Sequence, residues 1–149
     1  MRVYLDLCCL KRPFDLQEQP IIRIQTEAVL SILALPSDTV ELLQSPALVL
    51  ENSLNSNPAR REAVAHWLSE AVAVAPDESA LSSRTEELIG EGFKNFDAFH
   101  LASAELSGVD VFLTVDLPLL RLAARVSGEL RVRVADPVHF IEEMSQWKH

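Results

Sequence analysis

The sequence predicts an α/β domain built on a central, mostly parallel β-sheet. Short apolar segments rich in β-branched residues alternate with longer segments of helical periodicity, and this alternation is typical of parallel strands joined by helices. Residues 111–115 are almost wholly apolar, as in a strand that is covered on both faces. Residues 98–106 are largely apolar or small, as in a buried helix. A buried helix followed by a buried strand therefore forms the centre of the predicted fold.

Local signals place the elements of the first half of the chain. Apolar residues at helical spacing predict a helix that Pro36 ends. Ser45 followed by Pro46 marks a helix start, because serine is a preferred cap and proline fits the first helical position. The third helix has charges on one side and apolar residues on the other. The strands of this half are residues 3–5, 40–43 and 71–75, and its helices are residues 20–35, 46–54 and 59–70.

The second half continues the alternation. Asp77 caps a helix that ends near Gly90 or Gly92. The buried helix begins at Asp97, and Gly108 supplies the left-handed residue that commonly ends a helix. The remaining strands are residues 111–115 and 130–134, and the remaining helices are residues 119–126 and 137–145.

Length and charge limit the functional classes. A chain of 149 residues predicts one domain, residues 1–149. The net charge is −9, from 13 basic and 22 acidic residues, whereas broad electrostatic capture of nucleic acid requires positive charge. A nucleic-acid protein of this composition needs a local basic rim, a bound cation or a basic partner.

The cysteines and the hydropathy predict a reduced, cytoplasmic protein with no membrane span. Cys8 and Cys9 are adjacent, an awkward geometry for pairing, and no zinc-type spacing exists. No apolar run approaches the roughly 20 residues that a bilayer requires. An acid at Asp6 interrupts the N-terminus before the core of a signal peptide could form.

Two aspartates follow predicted strands. Asp6 ends the first strand and Asp116 ends the fourth, and ligand sites of open α/β sheets lie beyond the carboxyl ends of the strands. If these strands are neighbours, the two carboxylates come together at that edge. Thr114 points to the same face as Asp116, because side chains alternate along a strand. We therefore expect its hydroxyl to steady the Asp116 carboxylate.

Two further acids complete a candidate site. Glu51 interrupts the apolar face of its predicted helix, and Asp97 lies in the first turn of the buried helix. Clustered carboxylates repel one another, and Mg²⁺ or Mn²⁺ removes this repulsion by taking oxygen ligands. Each acid also has a structural alternative: Asp97 and Asp116 as helix caps, Asp6 at a surface strand end and Glu51 reaching solvent.

The histidine and cysteines near the four acids are predicted to have structural roles, not catalytic ones. His100, one turn beyond Asp97, is predicted as a hydrogen-bonded core residue, and Cys8 and Cys9 as small buried thiols. Four cations flank the proposed site, where they either contact phosphates or remain solvated surface charges. These cations are Lys11, Arg12, Arg121 and Arg125.

Four stretches together resemble the PIN-domain family. They are Tyr-Leu-Asp at residues 4–6, the acid Glu51 after the second strand, Phe-Asp-Ala-Phe-His-Leu-Ala-Ser-Ala at residues 96–104 and Phe-Leu-Thr-Val-Asp at residues 112–116. The resemblance covers residues 3–140, nearly the whole chain. Many members of this family are metal-dependent ribonucleases, among them the VapC-type toxins of toxin–antitoxin pairs.

The resemblance implies a fold and a function. The fold is a three-layer α/β/α domain with a five-stranded parallel sheet, and the acids Asp6, Glu51, Asp97 and Asp116 form a catalytic site for Mg²⁺ or Mn²⁺. The substrate is RNA, and a VapC-type protein has an antitoxin partner and forms a homodimer. Cys8 departs from the family pattern, which often has a small polar residue two positions after the first acid.

Two functions other than the nuclease are compatible with an α/β fold of this kind. A non-catalytic PIN-like domain would bind RNA or a partner protein without cleaving anything. A receiver-like phosphoryl-transfer module would need a lysine at the end of a later strand, and the strands ending near Ala75 and Ala135 offer none. The sequence therefore predicts the metal-dependent endoribonuclease, with the non-catalytic domain as its alternative.

Overall fold

The computed structural model describes residues 1–147, and the last two residues of the predicted domain lie outside this range. Five strands form one sheet in the order β3-β2-β1-β4-β5, and each pairing is parallel. The predicted α/β class is confirmed. The strands are β1 (Arg2–Leu5), β2 (Glu41–Gln44), β3 (Val72–Ala73), β4 (Val111–Leu113) and β5 (Arg133–Ala135).

Helices connect successive strands, and one further helix follows the last strand. Short 3-10 turns at Arg12–Phe14 and Ser127–Glu129 supplement them. The helices are α1 (Leu7–Lys11), α2 (Pro20–Leu33), α3 (Pro46–Ser53), α4 (Pro58–Glu70), α5 (Glu78–Gly90), α6 (Asn95–Leu106), α7 (Leu117–Arg125) and α8 (Pro137–Trp147). Within residues 1–147, no helix has the length and apolar character that crossing a bilayer requires.

Helix α1 was not predicted. It has only five residues, which is too short for hydrophobic periodicity to reveal. Its start lies at Asp6, whose carboxylate accepts a hydrogen bond from the backbone N–H of Leu7 at 2.9 Å. Asp6 therefore ends a strand and caps a helix at once, and the chain turns sharply beside the carboxyl edge of the sheet.

Two predictions about helix and strand starts need correction. Helix α6 begins at Asn95 with Lys94 at the cap position, so Asp97 lies inside the first turn and does not cap the helix. Strand β5 begins at Arg133, later than the predicted residue 130, because residues 127–129 form a 3-10 turn that delays the strand. The predicted cap at Asp116 is correct, since its Oδ1 accepts from the Leu119 N–H at 3.1 Å.

The order of the strands creates a switch point between β1 and β4. After β1 the chain adds β2 and β3 on one side, and it then returns to add β4 and β5 on the other. Leu5 of β1 pairs with Leu113 of β4, and the ring of Tyr4 stacks on Phe112 with centroids 5.1 Å apart. The loops after β1 and β4 therefore leave the sheet side by side, where ligand sites of such folds lie.

A buried ion pair fixes helix α6 against α5. The guanidinium of Arg84 donates from Nε to Oε1 of Glu105 at 2.6 Å, and the side chain of Glu105 is fully buried. Arg84 also donates to the Glu129 carbonyl at 2.6 Å and to the Glu87 carboxylate at 2.8 Å. Helix α6 carries Asp97, so this pair helps to position the candidate site.

We expect Arg84→Gln to lower the free energy of unfolding by about 3 kcal/mol, because it leaves the buried Glu105 carboxylate without a charged partner. Urea unfolding followed by circular dichroism would measure the change. Arg133→Gln is a matched control, since it removes a cation from an exposed pair with Glu143, whose side chains are 48% and 42% exposed. Similar losses in both variants would contradict the proposed importance of burial.

Candidate metal centre

Asp6 is the most firmly held of the predicted acids. Its backbone N–H donates to the Leu113 carbonyl of β4 at 2.9 Å. Its Oδ2 accepts from the Thr114 hydroxyl at 2.9 Å and from the Cys8 thiol at 3.4 Å, while Oδ1 accepts from the Leu7 N–H. Burial raises the pKa of Asp6, against the opposing effects of His100, Thr114 and Cys8. The carboxylate is therefore fixed in place at the end of β1.

The predicted role of Thr114 needs correction. Its hydroxyl donates to Asp6 and not to the Asp116 carboxylate, and Thr114 Oγ1 instead accepts from the Asp116 backbone N–H at 3.1 Å. The strand register explains the difference, because the residues that follow the Leu5–Leu113 pair are Asp6 and Thr114. Thr114 thus connects the two strand ends.

Cys8 is not the buried thiol that was predicted. Its side chain is partly exposed and lines the cavity described below, and its Sγ lies 3.3 Å from the Thr114 hydroxyl. Helix α1 turns Cys8 back towards Asp6, which places the thiol where a small polar residue was expected from the resemblance. Cys9 is buried as predicted.

Glu51 reaches the site from helix α3 and meets His100 of helix α6. Nε2 of His100 lies 2.9 Å from Oε1 of Glu51 and 3.9 Å from Oδ1 of Asp6. Nδ1 of His100 lies 2.6 Å from the Tyr4 hydroxyl. His100 is only 1% exposed, so its prediction as a hydrogen-bonded core residue is confirmed. Its contact with Glu51 was missed, although its position one turn beyond Asp97 was the available signal.

The structure brings all four predicted acids to one cavity. A cavity of about 370 Å³ is lined by Asp6, Glu51, Asp97 and Asp116, and an adjoining cavity of about 90 Å³ shares Asp97 and Asp116 with it. Burial, together with the charges of Asp6 and Asp116, raises the pKa of Asp97 to about 6. The acids therefore repel one another across a partly enclosed space.

The donor set of the cavity fits a divalent cation. Asp6 and Glu51 each offer a carboxylate oxygen, and these atoms lie within 4.8 Å of each other and of a ring nitrogen of His100. Asp97 and Asp116 line the same cavity and add further carboxylate oxygens. Oxygen-rich sites of this kind suit Mg²⁺ or Mn²⁺, and a cation would remove the repulsion that raises the pKa of Asp97.

Positive charges near the acids are few. Lys11 lines the larger cavity, and Lys94, which the sequence did not suggest, lines the smaller one. Arg12 instead pairs with Asp15 at 3.0 Å. Arg121 and Arg125 are exposed on α7, in agreement with solvated surface charge.

The chain was compared with known proteins. Neither a protein-family model nor a curated protein matches it. Among the solved structures that match is FitAcB from Neisseria gonorrhoeae, 18% identical with a TM-score of 0.53, covering 92% of this chain and 99% of that chain. Another is VapBC-1 from nontypeable Haemophilus influenzae, 16% identical with a TM-score of 0.58, covering 92% and 98%. These similarities confirm the predicted PIN-like fold.

We expect Asp97→Asn to stabilise the metal-free protein more at pH 7 than at pH 4. The folded-state pKa of Asp97 is about 6, above the usual value of about 4. Ionising this group therefore destabilises the folded state, a penalty absent below pH 4 and complete above pH 6.

We expect the stabilisation by Asp97→Asn to be about 1 kcal/mol larger at pH 7 than at pH 4. The difference is this small because solvent screens a partly exposed carboxylate. Urea unfolding of both proteins in a chelator, at a series of pH values, would measure it. A stability difference that is constant between pH 4 and pH 7, or larger at pH 4, would contradict the raised pKa.

Proposed function

We propose that this protein is a PIN-like, metal-dependent endoribonuclease. The observation that carries the proposal is the convergence of Asp6, Glu51, Asp97 and Asp116 on one cavity at the carboxyl edge of the sheet. Its support is threefold: this edge is where ligands bind in such folds, the donors suit Mg²⁺ or Mn²⁺, and the motifs at residues 96–104 and 112–116 resemble the nuclease family.

Asp6, Asp116 and Glu51 each have a defined part in this mechanism. Asp6 presents a carboxylate that Leu7 and Thr114 hold still, and Asp116 is held through the hydrogen bond from Leu119 to its Oδ1. Glu51 closes the cavity from the side of α3. Together with Asp97, these acids would hold Mg²⁺ or Mn²⁺, which would supply activation of a water for in-line attack on a phosphodiester and would offset charge on the leaving oxygen.

We propose single-stranded RNA as the substrate. Lys11 and Lys94 lie in the two cavities that share Asp97 and Asp116, so a strand crossing the acids would meet one amine on each side. Phe96 and Leu54 line the larger cavity, and the ring of Phe96 offers a surface on which an unpaired base can stack. In a chain with a net charge of −9, these local contacts replace a broad basic surface.

An antitoxin partner and a homodimer also belong to the proposal. Both are implied by the VapC-type resemblance, and the fold is shared with FitAcB and VapBC-1. The free thiols Cys8 and Cys9 agree with a reducing, cytoplasmic location.

Light scattering would test the dimer: a monomer at micromolar concentration would contradict it. Co-purification with the product of an adjacent gene would test the antitoxin, and recovery of the protein alone would count against it.

We expect Asp97→Asn to lower Mn²⁺-dependent RNA cleavage by at least about 100-fold, because it removes a charged donor from the metal cavity. Single-turnover cleavage of a labelled RNA would measure the rate. Circular dichroism and urea unfolding would verify that the variant is folded. Near-normal cleavage by a folded Asp97→Asn protein would exclude the assignment, and a wild-type protein that binds RNA without cleaving it would favour the non-catalytic alternative.

We expect Lys11→Gln and Lys94→Gln each to reduce the salt dependence of RNA binding. Each loss of a phosphate contact should lower the slope of log K against log salt by about 0.7 for a single strand. Fluorescence anisotropy with a non-cleavable RNA analogue would measure the slope.

Arg131→Gln is the matched control for this measurement. Arg131 is exposed and precedes β5, so it lies at the opposite edge of the parallel sheet. A lysine variant whose slope equals that of wild type, or an equal decrease in Arg131→Gln, would refute the proposed path of the strand.

A further inference from the structure

A buried chain of hydrogen bonds leads from the backbone of α3 to the metal cavity. The Leu48 N–H donates to the Ser45 hydroxyl at 3.1 Å, and Ser45 Oγ lies 2.6 Å from the Tyr4 hydroxyl. The Tyr4 hydroxyl lies 2.6 Å from Nδ1 of His100, and Nε2 of His100 lies 2.9 Å from Oε1 of Glu51. Ser45, Tyr4 and His100 are all buried, so water does not compete for these bonds.

The direction of the chain follows from its donors and acceptors. Within the described part of the protein, the Ser45 hydroxyl has Tyr4 as its one acceptor, so its proton lies towards Tyr4. The Tyr4 hydroxyl accepts the Ser45 proton and donates its own proton to Nδ1 of His100, which lies 2.6 Å away. With Nδ1 accepting from Tyr4, the ring proton is on Nε2, where it faces Oε1 of Glu51.

Glu51 needs such support more than Asp6 and Asp116 do. It comes from a helix and not from a strand end, and its longer side chain has more rotamers to lose. Among the side chains described, those of residues 1–145, His100 makes the one hydrogen bond to the Glu51 carboxylate. Asp6 and Asp116, by contrast, accept hydrogen bonds from backbone N–H groups close in sequence.

We propose that His100 is a positioning residue, held in its Nε2–H form by Tyr4 and Ser45, which fixes the Glu51 carboxylate in the metal cavity. The inference rests on the proposed function, because it takes Glu51 to be a metal ligand. His100 touches neither metal nor substrate, and it acts through Glu51.

The geometry argues against His100 as a direct ligand. Coordination through Nε2 would move the proton to Nδ1, which would then donate to Tyr4. Tyr4 would in turn donate to Ser45, and the Ser45 proton would lose the acceptor that the structure gives it. The positioning arrangement satisfies every member of the chain, which a buried network requires.

The first experiment is a Mn²⁺ titration by calorimetry on the full chain. Tyr4→Phe removes one hydroxyl while keeping the ring that stacks on Phe112, and we expect about a 10-fold weaker Mn²⁺ affinity, the scale typical of lost ligand-orienting partners. His100→Leu should weaken binding at least as much. His100→Gln, whose amide can still donate to Glu51, should restore most of the affinity.

Ser103→Ala is the matched control for removal of a buried hydroxyl. Ser103 lies on the same helix as His100 and donates to the Phe99 carbonyl at 2.8 Å, outside the chain of bonds to Glu51. This variant should bind Mn²⁺ like wild type. Urea unfolding of each variant in a chelator would show whether a loss of Mn²⁺ affinity reflects a loss of protein stability. If His100→Leu does not fold, Tyr4→Phe still tests the inference.

The second experiment reads the imidazole directly. ¹⁵N NMR of histidine-labelled protein, with the His100 signals identified by their absence in His100→Gln, should show the Nε2–H tautomer in the metal-free protein. The same tautomer should persist when Mg²⁺ is added. An Nδ1–H tautomer, or loss of the Nε2 proton on metal addition, would overturn the inference in favour of direct ligation.

The outcomes separate this inference from the proposed function. A wild-type protein that binds no Mn²⁺ would overturn both. Mn²⁺ binding that is lost in Asp97→Asn but keeps wild-type affinity in folded Tyr4→Phe would overturn the positioning role alone. Affinity that falls in Tyr4→Phe, recovers in His100→Gln relative to His100→Leu and is unchanged in Ser103→Ala would establish it.

Discussion

The pairing of β1 with β4 is the constraint on which the site depends. The register sets Leu5 opposite Leu113, and the Asp6 N–H extends the ladder by donating to the Leu113 carbonyl at 2.9 Å. Asp6 and Thr114 therefore leave the sheet as neighbours, and Asp116 follows two residues later. Because side chains alternate along a strand, a slip of one residue would turn Thr114 away from Asp6. The apolar residues of both strands fix the register, so the core determines where the carboxylates meet.

The fold places acids together at an electrostatic cost. Burial raises the pKa of both Asp6 and Asp97, and in each case neighbouring carboxylates add to the effect. Such a destabilising arrangement of carboxylates persists only when the surrounding structure holds it in place. Here the fully buried side chains of β1, β4 and α6 provide that rigidity, and the Arg84–Glu105 pair fixes the far end of α6. A ligand that binds the folded state alone would return stability by mass action.

Much of the fold could be predicted because its signals are local. The alternation of apolar strand segments with amphipathic helices gives the parallel sheet, and proline or glycine marks most helix ends. The errors occur where the local pattern is too short or too weak to mark the start of an element. Helix α1 is too short to show periodicity, and α6 begins at Asn95 because residues 95 and 96 continue the helix without a capping side chain among the described residues. Strand β5 starts only after the 3-10 turn at Ser127–Glu129.

The residues of the candidate site also differ in how far their contacts can be predicted from local sequence. Asp6 and Asp116 are held by backbone groups next to them in sequence, and both could be identified as residues that follow strands. Glu51 is held by His100, which lies 49 positions away, and His100 in turn depends on Tyr4, 96 positions away. A motif can place His100 beside Asp97, but it cannot show that the imidazole faces α3. The packing of α3 on α6 creates that contact, so the support of Glu51 depends on tertiary structure that its local sequence does not show.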